Sequence, residues 1–177
     1  MAGSDRARAL AGALRATKPF VTRFLAGFDD DNRTKQAPGL PNHAAWSMGH
    51  LALTMHRFAE RFDGNALPAS DFISGDGSSG DSESFDTESV CFGSKPVDDP
   101  AIYPSLATSR RVFEDAVDRL ASALEGLDDV KLDEIQPWGS GAFPVAELAA
   151  RIIFHNGTHA GQLTDLRRAL GMPGVIG

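Results

Sequence analysis

Residues 143–171, FPVAELAARIIFHNGTHAGQLTDLRRALG, constrain the fold more than any other stretch of the chain. Wound at about 3.6 residues per turn, Val145, Leu148, Ile152, His155, His159, Leu163, Leu166 and Leu170 fall on one stripe, and Glu147, Asp165 and Arg168 fall opposite. Such a stripe has to be buried against other elements. His155 and His159 sit in its middle, one turn apart, where both rings can converge on one atom. An imidazole buried without a partner is costly, so the rest of the chain must supply whatever satisfies the pair. Two answers compete: a divalent cation, or core histidines bonded to backbone and water. The zincin pattern H-E-x-x-H does not apply, because Asn156 follows His155 and no general-base glutamate is built in.

Three further helices can be read ahead of this one. Ser4 caps a first helix running to about Phe28, with Leu10, Leu14, Val21, Phe24 and Phe28 inward and Pro19 set to kink or split it. Asn42 caps a second from His43 to about Phe62, closed by Asp63-Gly64-Asn65. Its main apolar stripe is Met48, Leu51, Met55, Phe58 and Phe62, flanked by a second arc of Trp46, His50 and Leu53. A third helix spans about Tyr103-Pro104 to Gly126, with Pro104 in its first turn. Residues 127–141 form a connector containing Trp138, and Gly171 with Pro173 ends the last helix. With no strand pattern evident, the expectation is an all-α four-helix bundle forming a single domain over residues 1–177.

Between helices two and three, residues 66–100 show no periodicity. Their acidic part, GDGSSGDSESFDTES (75–89), reads as a mobile surface loop, and the less polar Val90–Pro96 part as an ordered flap folding back over the bundle. The carboxylates lack EF-hand spacing, so calcium is not indicated.

A catalytic zinc-type site has three protein ligands and one open position. His50 is the best third ligand, being mid-helix beside Trp46 and Leu53. His43 lies two turns away, roughly 10 Å, too far to share an ion with His50, and reads as a residue at the bundle mouth that is exposed or touches substrate. His56 reads as a partly exposed surface or interface residue, and Cys91 as passive. Asn156 and Gln162 are candidates to orient a ligating imidazole or bound water, and Trp46, Phe92 and Trp138 to wall a pocket.

A formal charge of −7 with no basic stripe argues against nucleic acid or an anionic membrane as partner. No apolar run approaches the ~18–20 residues of a membrane span, and the single cysteine excludes an internal disulfide framework, so the chain reads as a soluble cytoplasmic protein.

Asn42-His43-Ala44-Ala45-Trp46-Ser47-Met48-Gly49-His50-Leu51 resembles the NH..W..GHL segment of the DinB/YfiT-like superfamily of metal-binding proteins. Phe92-Gly93-Ser94-Lys95-Pro96 with Tyr103-Pro104 is similar to the loop and helix start of one branch. His155-Asn156-Gly157-Thr158-His159-Ala160-Gly161-Gln162-Leu163 and the following Leu166-Arg167-Arg168-Ala169-Leu170-Gly171 are similar to its closing H...H.GQL..LRR.LG helix. The resemblance covers the chain from helix two onward, in order. It implies an up-down-down-up bundle, frequent homodimerisation, and a three-histidine site for zinc, nickel or a similar ion formed by His50, His155 and His159. It further implies a small-molecule substrate and, by analogy with relatives that use a low-molecular-weight thiol, a thiol-dependent transferase or related hydrolase acting through a metal-bound thiolate or water. The alternatives are a non-catalytic metal-binding dimer, closed by a fourth ligand from Val90–Pro96, and a metal-free helical interaction module.

Overall fold

The computed structural model of the protein describes residues 3–78, 81 and 83–175. It is dominated by four long helices: α1 (Asp5–Arg23), α2 (Ala44–Asp63), α4 (Leu106–Glu125) and α6 (Val145–Ala169). Between α2 and α4 lie strands β1 (Phe72–Ile73) and β2 (Phe85–Asp86) and a short α3 (Thr87–Val90). A short α5 (Asp129–Asp133) and strands β3 (Ile135–Trp138) and β4 (Gly141–Pro144) lead into α6. Helix α1 packs on α4 and α6, and α2 packs on α4 and α6. The buried apolar side chains form one cluster between them, with Leu14, Met48, Leu51, Phe58, Phe113, Leu120 and Leu148 among the most enclosed. Among the described residues no helix is long and apolar enough to cross a membrane.

Local chemistry sets the helix ends. Ser4 caps α1 as expected, its Oγ accepting from Ala7 N at 3.1 Å. Pro19 does not split the helix, which continues to Arg23 and then unwinds through turns to Phe28. Asn42 is not the cap of α2. Its amide donates to Gln162 Oε1 at 2.8 Å, and His43 takes the capping position, its Nδ1 accepting from Trp46 N at 3.1 Å. Gly64 closes α2 in the left-handed conformation. Helix α4 starts two residues later than its proline suggests. Ser105 is the cap, accepting from Thr108 N, while Tyr103 is drawn fully into the core.

Strand pairing appears where none was expected, though it is confined to two small pieces. β1 and β2 run parallel, and β3 and β4 form an antiparallel hairpin in which Trp138 faces Gly141 across Gly139-Ser140. The mobility expected of the acidic stretch falls partly on residues 79, 80 and 82, which lie outside the described residues. The rest is tied down: Asp86 accepts from Gly77 N and Glu88 N, and Phe85 is wholly buried.

Candidate metal centre

Three histidines from two elements meet at one point. His50 lies in the middle of α2, and His155 and His159 lie one turn apart on α6. His155 Nε2 is 3.2 Å from His50 Nε2 and 3.1 Å from His159 Nε2, and the three ligand atoms lie within 4.8 Å of one another. His50 and His159 are buried and His155 is half-buried.

The surroundings hold these rings in place. Gly49 has no side chain, and a Cβ there would lie 2.6 Å from the Phe85 ring and 2.8 Å from Val90 Cγ1. The missing side chain lets β2 and α3 close onto α2, which brings the Val90 carbonyl to 2.9 Å from His50 Nδ1. That carbonyl can only accept, so Nδ1 carries the proton and Nε2 presents a lone pair. Trp46 stacks on the His50 ring at 4.5 Å with an interplanar angle of 11°. Its Nε1 donates to Ser94 Oγ at 3.0 Å, and Ser94 in turn bonds the carbonyls of Ser89 and Cys91. The Phe92–Pro96 segment thus fixes the site through Trp46.

Burial keeps all three rings neutral. It lowers the His50 pKa against the opposing pull of the Val90 carbonyl. Burial, then the His50 ring, lowers His155 to about 4. Burial, then His155 and His50, lowers His159 to about 3, weakly opposed by Gln162. A neutral imidazole has one N–H, and that of His50 is committed to Val90. His155 can offer at most one proton to two neighbouring nitrogens, so the three cannot satisfy one another. A cation accepts all three lone pairs together. Ligand nitrogens ~2.0–2.1 Å from a tetrahedral ion stand about 3.3–3.4 Å apart, close to the two separations from His155 Nε2 of 3.2 and 3.1 Å. The trio is therefore a group able to hold a divalent metal ion.

The other candidates fall as follows. Asn156 does not orient an imidazole: wholly buried, its Nδ2 donates to Thr17 Oγ1 at 2.9 Å and its Oδ1 has no hydrogen-bond partner among the described residues. Gln162 lies beside His159, but its Oε1 accepts from Asn42, and His159 Nδ1 has no hydrogen-bond partner among the described residues. His43 is neither exposed nor a member of the trio. It is fully buried edge-on to Tyr103, its Nε2–H donates to Val97 O, and burial lowers its pKa to about 4. His56 is not a surface residue either. It is 2% exposed, packed edge-on to Phe72, with Nδ1 beside Arg119. Both are covered by segments without periodicity, which helical spacing does not report.

A groove of about 730 Å³ opens beside His50 and His155, between α2 and α6, and is flanked by Cys91, Phe92 and the β3–β4 hairpin. Trp138 lines it as expected. Phe92 stands at its rim, 95% exposed. Trp46 is instead packed behind His50. The sequence reading missed Arg57, Arg61 and Arg151, which also line the groove. Their signal was available: Arg57 and Arg61 follow His50 at seven and eleven residues, on the same helical face, and Arg151 precedes His155 by one turn.

Compared with known proteins, the chain matches the family model of the DinB superfamily over residues 13–163, the greater part of its length and all three histidines. No curated protein and no solved structure matches it.

Proposed function

The chain belongs to the DinB superfamily, and from that membership and the converging imidazoles we propose that it is a divalent-metal-dependent enzyme, a thiol-dependent transferase or related hydrolase. His50, His155 and His159 would hold the ion, zinc or nickel. Three neutral ligands leave such an ion its full charge, and it would supply Lewis-acid activation of a sulfur or oxygen group bound beside them. The chain's own contribution is orientation. Val90 and Trp46 fix the His50 ring, and Leu53, Ile152 and Trp138 give the groove apolar walls against which an electrophile can be held. Within this reading the four long helices form an up-down-down-up four-helix bundle, and the protein acts on a small molecule as a cytoplasmic homodimer.

The observation that carries the proposal is that two of the three imidazoles face an open groove. A closed, non-catalytic site would need a fourth protein ligand from Val90–Pro96. Among the described residues the group has three members; Val90 gives its carbonyl to His50, and Cys91 Sγ lies against Glu88. The test is a conjugation assay pairing low-molecular-weight thiols with electrophilic acceptors, using zinc- or nickel-loaded and chelator-stripped protein. Metal-dependent thiol consumption by at least one pair is expected, and its loss in His155→Ala. Failure of every pair in loaded protein would overturn the transferase assignment and favour a non-catalytic metal-binding role.

A further inference from the structure

The charge of the groove is opposite to that of the chain. The protein carries 24 acidic and 17 basic residues, yet three arginines and no carboxylate line this groove. Two of those arginines are already committed. Arg151 pairs with Glu147 at 2.7 Å and lies over the Phe143 ring, and Arg61 donates to Pro137 O at 2.9 Å beside the Trp138 ring. Arg57 makes no side-chain hydrogen bond or ion pair among the described residues. It stands seven residues beyond His50 on the same face of α2, about 10 Å along the helix axis. Leu53, Ile152 and Trp138 give the intervening space its apolar wall.

We infer that the groove recognises a small organic carboxylate with an apolar or aromatic body, its charged end paired with Arg57 and its other end directed at His50 and His155. A planar guanidinium that makes no ion pair among the described residues matches a carboxylate through two parallel hydrogen bonds, and Arg57, being exposed, is open to such a partner from the groove. Arg61 adds positive potential without being consumed by a neighbouring acid, whereas Glu147 already offsets Arg151. The direction of the bound molecule rests on the metal-site reading above; the pairing with Arg57 does not.

The test uses phenylalkanoates of increasing chain length and their neutral amides as probes. Binding is followed by calorimetry and by the fluorescence of Trp46 and Trp138, in both chelator-stripped and zinc-loaded protein. The acid should bind at least about tenfold more tightly than its amide in both forms. Arg57→Gln should reduce that preference to within about twofold, and Arg57→Lys should keep part of it. The inference is overturned if acid and amide bind alike, if no acid binds by about 10 mM, or if the preference survives Arg57→Gln. A preference seen only with zinc and insensitive to Arg57 would place the carboxylate at the histidines, overturning this site while sparing the metal reading. An Arg57-dependent preference in protein that takes up no zinc would do the reverse.

Discussion

Replacing Gly49 by alanine sets two effects of known sign against each other. In a helix interior the change should gain about 1 kcal/mol of propensity. The new Cβ, however, would lie 2.6 and 2.7 Å from two Phe85 ring carbons and 2.8 Å from Val90 Cγ1. Phe85 and Val90 are both wholly buried, so neither can swing aside, and overpacking of this kind costs about 1–3 kcal/mol. The expected net result is a loss of about 1 kcal/mol. The larger consequence is functional. Displacing Val90 withdraws the carbonyl that holds His50 Nδ1 at 2.9 Å, and loss of such a supporting bond lowers metal affinity about 10- to 100-fold. Gly157→Ala and Gly161→Ala are the internal controls. A Cβ at either position meets nothing within 4 Å, so each should gain up to about 1 kcal/mol and leave metal affinity unchanged. Urea denaturation and competitive zinc titration of the three variants would decide. If Gly49→Ala is stabilised like the other two and binds zinc normally, the argument from close approach is wrong.

Other consequences can be checked on the same protein. Thr17→Val removes the oxygen partner of the buried Asn156 Nδ2, leaving it the weaker acceptor Met55 Sδ at 3.6 Å, and should cost about 1–3 kcal/mol in urea unfolding; an unchanged midpoint would contradict the role given to that bond. His43 has a folded pKa of about 4 against an ordinary 6.5, so on acidification the unfolded chain takes up the proton first. Its contribution therefore falls as pH drops from about 6.5 to about 4 and levels off below, by up to about 3 kcal/mol. His43→Asn keeps a helix-capping side chain and should remove that part of the pH dependence; identical stability–pH curves for the two proteins would refute it.

The parts of this fold that were legible in the sequence are those governed by helical period. Of the stripe, Val145, Leu148, Ile152, His159, Leu163 and Leu166 are buried in α6 while His155 and Leu170 are half-buried, and Ser4 and Gly64 mark helix ends by their own chemistry. Helical period says which residues share a face and nothing about what covers it. His43 is buried by contacts with Val97 and Tyr103 and His56 by Phe72; Val97 and Phe72 lie in the stretch 66–100 without repeat, and Tyr103 sits just ahead of α4. Asn42 had the composition of a cap, but an interaction 120 residues away takes its amide. The hairpin was readable in principle, because Gly139-Ser140 between two short runs is a two-residue turn signal; Pro137 and Pro144 within those runs masked it. His50 could be placed on an inner arc of α2 from spacing and singled out as the best third ligand from its mid-helix position, and the resemblance to the metal-binding superfamily implied the same three-histidine set. The arginines of the groove went unread because their importance depends on lying beside those histidines.

The most direct test is elemental analysis of protein purified without a histidine tag, alongside His159→Ala. If the three imidazoles form one metal centre, the wild-type chain should carry about one divalent ion and the variant close to none, at comparable helical content. Equal, substoichiometric metal in both would mean that these rings meet without binding an ion.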